Sequence, residues 1–202
     1  MSFKELYKDI VRLGYYIFSI EDLSTLYPDE DRRSIKVMLH RWKKKLWVCA
    51  LKRGLYEMHY PKDLNIPDMH VANVLYKPSY VSLETALSYY SIIPEVSMAV
   101  TSITTKPTRK FKNKHGLFIY HTVKPAAFGG YYIEKSRGFD ILIAEPEKAL
   151  VDFVYFKTYR NKNVDLGLER IDKKIVSKLD KSKINKYAHS YKMDLKELHA
   201  YL

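Results

Sequence analysis

The chain has 202 residues, 47% of them hydrophobic and 14% aromatic, too much apolar surface for a disordered polymer and enough for one large core or two small ones. A single cysteine, Cys49, excludes an internal disulfide framework and a zinc site built on several thiolates, and fits a reduced, cytoplasmic setting. Thirty-five Lys and Arg against 23 Asp and Glu give a formal charge of +12, an excess that favours polyanionic partners.

Charges at Lys4, Glu5, Lys8, Asp9 and Arg12 interrupt the N-terminal segment, so no secretory leader is expected there. Apolar residues at Phe3, Leu6, Tyr7, Ile10 and Val11 have helical spacing, and Gly14 closes the helix. Tyr15 to Phe18 is an extended segment before a second helix, with Ser19 as N-cap and Asp22 at the capping-box distance. That helix stops near Tyr27, before Pro28. Asp29, Glu30 and Asp31 place acids where a third helix begins. It runs to about Lys45 with Ile35, Leu39 and Trp42 on one face. Leu46 to Leu51, the turn Lys52-Arg53-Gly54 and Leu55 to Met58 form a β-hairpin.

Beyond a linker bracketed by Pro61 and Pro67, helices are expected over Met69–Tyr76 and Leu83–Tyr90, the second capped by Ser82. Strands follow at Met98–Thr104, Leu117–Val123, Gly130–Glu134 and Phe139–Ala144. Glu145-Pro146 opens a strong helix, with proline in its first turn. From about Asp165 the pattern is basic and helical through Leu202. No stretch reaches the roughly 18 uncharged apolar residues of a membrane span, so no membrane partner is expected. The pattern predicts an α+β protein: a winged helix-turn-helix over residues 1–60, a linker and connecting helix over 61–76, and a mixed α/β domain with a helical tail over 77–202.

The third helix and hairpin carry the strongest charge signal. Arg32, Arg33, Lys36, Arg41, Lys43, Lys44, Lys45, Lys52 and Arg53 occur with no acid among them. With Ile35, Leu39 and Trp42 turned inward, Arg33, Lys36, His40 and Lys44 line the opposite face. A helix fits the DNA major groove, where Arg and Lys reach guanine edges and flanking cations meet phosphates. Lys52 and Arg53 at the hairpin tip make a wing against the backbone or the minor groove.

Enzymatic signals are weak. The chain has no HExxH, Walker A, GxGxxG or GxSxG pattern, and His115 and His121 lack a third ligand, so neither a metal nor a cofactor is expected. A metal-dependent nuclease would pair Asp140 with an acid two residues before Lys148, but Pro146 stands there. Glu145 and Lys148 read as a cap and a surface pair at a helix start, with Asp140, Glu147 and Asp152 structural.

The second domain also carries an ordered set of strings. Ser79 to Tyr90 (SYVSLETALSYY) is followed by Ile93-Pro94-Glu95. Then come Thr101 to Lys106 (TSITTK), Thr108 to Phe111 (TRKF) and Ala144 to Asp152 (AEPEKALVD). Together, over about Lys77 to Phe156, they resemble the AbiEi family of antitoxins, the regulator half of AbiE abortive-infection (phage resistance) systems. The resemblance implies a non-enzymatic protein in two parts. The N-terminal domain would bind inverted repeats in double-stranded promoter DNA and repress its own operon. The antitoxin domain, 77–202, would neutralise a cognate nucleotidyltransferase toxin in the type IV manner, without requiring a stable complex. Thr104, Thr105, Lys106, Arg109, Glu145 and Lys148 are the motif residues it singles out. Two alternatives stay open: a winged-helix regulator whose second domain binds a ligand or protein, and a nucleic-acid-processing enzyme.

Overall fold

The computed structural model describes residues 1–59, 65–95, 97–159 and 170–193. The protein is α+β, with eight α-helices and two sheets among the described residues. It divides into two compact units, Met1–Ile66 and Pro67–Leu202. No helix among the described residues is long and apolar enough to cross a membrane.

In the first unit, α1 (Phe3–Leu13) begins at a capping box between Ser2 and Glu5 and ends on Gly14 at φ 64°. The extended segment after it is a true strand, β1 (Ile17–Ser19). Next comes α2 (Ile20–Leu26), with the Ser19–Asp22 box formed as the spacing requires. The third helix, α3 (Arg32–Lys44), starts later than the acidic run suggests. Only Asp31 caps it, accepting from the backbone N–H groups of Arg33 and Ser34. The hairpin β2 (Val48–Lys52) and β3 (Leu55–Met58) joins β1 in an antiparallel sheet of order β1-β3-β2. Leu6, Ile10, Phe18, Leu23, Ile35, Leu39, Trp42, Val48 and Met58 make one core. Because α3 contributes Ile35, Leu39 and Trp42 to it, with Met38 packed at its margin, the remaining residues of that helix are turned to solvent.

The second unit begins with α4 (Asp68–Leu75), the helix expected to lie in the connection 61–76. Its Val71, Ala72 and Leu75 have no exposed surface, so it belongs to the second core, and the division falls before Pro67. Then follow β4 (Ser79–Val81), α5 (Leu83–Tyr89), β5 (Ala99–Thr104), β6 (Arg109–Asn113), β7 (Gly116–Thr122), β8 (Tyr131–Ser136) and β9 (Phe139–Ala144). The chain continues through α6 (Pro146–Val154), a π-helical turn at Tyr155–Tyr159, α7 (Lys173–Val176) and α8 (Lys181–Tyr191). Residue 60, the expected linker residues 61–64, and 160–169 and 194–202 of the tail lie outside the described residues.

The six strands run in the order β6-β7-β5-β4-β9-β8, with β5–β7 and β4–β9 parallel and the other pairs antiparallel. Two of these strands escape the sequence pattern. β4 is three buried residues, too short for alternation to show. β6 reads Arg-Lys-Phe-Lys-Asn, charges that protect an edge strand but look like a loop.

One glycine holds the tail against the sheet. Gly130, at φ 72°, lets the Tyr187 ring of α8 approach so closely that a Cβ there would lie 2.7 Å from two ring atoms. Gly138, at φ 81°, has open space instead. Gly138→Ala is therefore expected to cost about 1 kcal/mol of left-handed strain, and Gly130→Ala about 2–4 kcal/mol because the tyrosine must also move. Denaturant unfolding of the two variants checks this; equal losses would contradict it.

Candidate nucleic-acid interface and the buried carboxylate

Helix α3 presents its cations as its core contacts require. Arg32, Arg33, Lys36, His40, Arg41, Lys43 and Lys44 are all exposed, as is the C-capping Lys45. The Asp31 carboxyl at its start is held below its ordinary value, first by the Arg33 backbone N–H and then by the Ser34 hydroxyl. At the other end the Lys45 ammonium lies 4.6 Å from the centre of the Trp47 ring.

The structure brings together part of the predicted set. Arg32 and Lys36 from α3, with Lys52 and Arg53 from the hairpin, line one groove of about 680 Å³. Arg33, His40 and Lys44 continue along the exposed face by helical spacing, and Arg41 falls to one side of that stripe. Charge counting missed one feature. The Arg32 guanidinium is bonded to the Glu21 carboxylate of α2, so Arg32 meets a phosphate only in competition with that acid. The pair joins residues eleven positions apart, beyond the reach of local spacing.

In the second unit the motif strings converge. The Asp152 carboxylate has no exposed surface. It accepts from the Ser82 hydroxyl at 2.7 Å, the Tyr80 hydroxyl at 3.2 Å, the Lys148 ammonium and the Tyr191 hydroxyl. Lys148 also donates to the Tyr191 oxygen at 3.1 Å and lies 4.5 Å from that ring's centre. Burial pushes the Lys148 ammonium below its ordinary pKa while Asp152 pulls the other way, and burial raises the Tyr80 and Tyr191 hydroxyls.

Two expectations are thereby corrected. Lys148 is 1% exposed and paired with Asp152. It is not a surface partner of Glu145, whose carboxylate instead takes Lys183 and the Tyr187 hydroxyl of α8, each at 2.9 Å. Ser82 stands at the N-cap position of α5, but its hydroxyl makes no capping bond because it is given to Asp152.

The other motif residues divide by exposure. Thr104 is buried, and its hydroxyl donates to the Pro78 carbonyl at 2.7 Å. Thr105 is half-buried, while Lys106 and Arg109 are exposed, with their cations 5.5 and 5.8 Å from the Tyr76 ring centre. The rival sites do not assemble. Asp140 lies exposed on β9, apart from the buried Lys148 pairing. His115 bonds Asp68 at 2.9 Å, whereas His121 packs against Phe156.

No family model matches the chain, and no curated protein is significantly similar to it.

Removing one partner of a buried ion pair leaves the other charge desolvated. Asp152→Asn is thus expected to cost about 3–5 kcal/mol and Tyr191→Phe about 1 kcal/mol. The apolar double replacement Lys148→Met with Asp152→Leu removes the stranded charge but leaves the Tyr80, Ser82 and Tyr191 hydroxyls without their acceptor, so it should recover only part of the larger loss. Urea unfolding of the three variants measures this, and a loss for Asp152→Asn no larger than for Tyr191→Phe would contradict the network.

Proposed function

We propose that the first unit is a winged helix-turn-helix, with α3 as recognition helix and the β2–β3 hairpin as wing, and that the protein is a type IV antitoxin repressing its own operon. The observation that carries the DNA-binding half is the exposed face of α3, cationic from Arg32 to Lys45 with no acid on it, beside a hairpin that sets Lys52 and Arg53 on the same groove. On such a face Arg33, Lys36 and His40 are placed to reach base edges, and Lys43, Lys44, Lys45, Lys52 and Arg53 to reach phosphates. Inverted repeats in promoter DNA would take two copies of the chain, one on each half-site.

The antitoxin half rests on the AbiEi resemblance. What supports it is that the resembling strings form one framework: Tyr80 and Ser82 bond Asp152, and Thr101 bonds the Ser82 carbonyl at 2.8 Å. Their buried polar residues thereby keep one arrangement of β4, β5 and α6. Lys106 and Arg109 remain as the exposed members through which a nucleotidyltransferase toxin, or a target shared with it, would be met. No catalytic role is assigned; Lys148, whose burial lowers its pKa, is paired with Asp152.

Arg33→Ala or Lys36→Ala is expected to weaken promoter binding by about 1–3 kcal/mol while barely changing affinity for scrambled DNA. Lys52→Ala and Arg53→Ala should weaken both alike, and Arg32→Ala should have the smaller effect of a cation already paired. A gel-shift series at fixed salt separates these, and equal losses on both DNAs for Arg33 and Lys36 would reassign them to phosphate contacts.

Co-expression with the toxin of the neighbouring gene tests the second half. Both the full chain and its Arg33→Ala/Lys36→Ala variant should restore growth, and failure of the full chain to do so would overturn the antitoxin reading.

A further inference from the structure

We infer that the outer edge of β8 is a homodimer interface, at which a second copy of the chain adds its own β8 antiparallel across a two-fold axis. The six-stranded sheet ends on β6 at one side and on β8 at the other, and the two edges differ in chemistry. On β6 the exposed side chains are Arg109, Lys110 and Lys112, cations that keep another strand away. β8 exposes Tyr131, Tyr132 and Ile133 instead, and Ile133 is 59% exposed. The aromatic surface continues onto α5. The Tyr90 hydroxyl lies 3.1 Å from that of Tyr132, and its ring meets the exposed Tyr89 edge-on at 5.2 Å. Exposed tyrosines beside an apolar strand are the composition of a protein interface. Among the described residues, no strand pairs with the outer edge of β8.

The backbone of β8 is set for such pairing. β8 and β9 turn through Arg137 and Gly138, both at positive φ, and close on the pair Ser136–Phe139. In a two-residue turn of this kind the closing pair is hydrogen-bonded, and bonded and non-bonded pairs alternate from there. The even-numbered residues of β8 therefore bond β9. Gly130, just before the strand, keeps this alternation, its carbonyl accepting from the Glu145 N–H at 2.9 Å. Tyr131, Ile133 and Lys135 then direct their N–H and C=O groups to the open side.

Those groups decide how a second β8 can sit, because outward-facing residues of one strand must oppose outward-facing residues of the other. Centred on Ile133, the pairing sets Ile133 against its own copy, Tyr131 against Lys135 and Tyr132 against Glu134, so no like charges oppose one another. Centred on Glu134, it would oppose two carboxylates. Centred on Tyr132, it would carry Lys135 past the strand to Gly129. The strand is thus complementary to itself in the register that uses its whole outer edge. The interface is isologous and the far edge is charged, so the sheet closes as a dimer and does not grow into a fibre.

The pairing does not rest on the DNA-binding reading and is tested without DNA, by sedimentation equilibrium of the full chain. A monomer–dimer equilibrium in the micromolar range is expected. Ile133→Lys, at an exposed position, should weaken the dimer about tenfold or more, and Lys110→Ala on the far edge should leave it unchanged. Thermal melts establish that both variants are folded. Register is read by mild oxidation in a Cys49→Ser background, where Ile133→Cys should cross-link to its own copy faster than Glu134→Cys. A chain that stays monomeric at about 100 μM, a dimer as tight in Ile133→Lys as in the parent, or faster cross-linking at position 134 would each overturn the assignment.

Discussion

A carboxylate without exposed surface sits at the centre of the second unit. Asp152 takes hydrogen bonds from Tyr80 on β4, Ser82 beyond it, Lys148 one turn away on α6 and Tyr191 at the end of α8. Leaving a buried charge unsatisfied is costly, so only the arrangement that brings all four groups together is stable. That condition places the central strand, the most buried helix and the tail against one another. The same tail is tied a second time through Lys183 and Tyr187 to Glu145. α8 is thus a fixed part of the fold, which its basic, solvated appearance in sequence does not suggest.

The first unit solves a different problem. Its small core takes Ile35, Leu39 and Trp42 from α3, and this apolar stripe sets the rotation of the helix about its axis. Every cation from Arg32 to Lys45 then faces solvent by geometry. The hairpin is fixed by the antiparallel ladder to β1 and brings Lys52 and Arg53 to the groove beside α3. The apolar pattern of the helix thereby decides where its charge is displayed, and the charge decides what kind of partner can approach.

Where local chemistry is strong, the elements are legible in sequence. The Ser19–Asp22 capping box, the stripe of α3, the hairpin around Gly54 and the proline that opens α6 all rest on neighbours a few residues apart. What is illegible depends on distance along the chain. The Arg32–Glu21 pair and the meeting of Tyr191 with Asp152, 39 residues earlier, have no local signature. Lys148 and Asp152 do leave a trace. Charges four apart among Ala149, Leu150, Val151 and Phe153 lie within a helix buried all round, and such charges must be paired. β4 and β6 are lost to shortness and to edge charge respectively.

The most direct measurement is a titration of the full chain against its own promoter fragment and a scrambled fragment of equal length, at two salt concentrations. A recognition helix with flanking phosphate contacts predicts tight, promoter-selective binding, with a log–log salt slope of roughly −5 for about six phosphates. Weak and equal binding to both fragments would contradict it, leaving the cations of α3 as a solvated face.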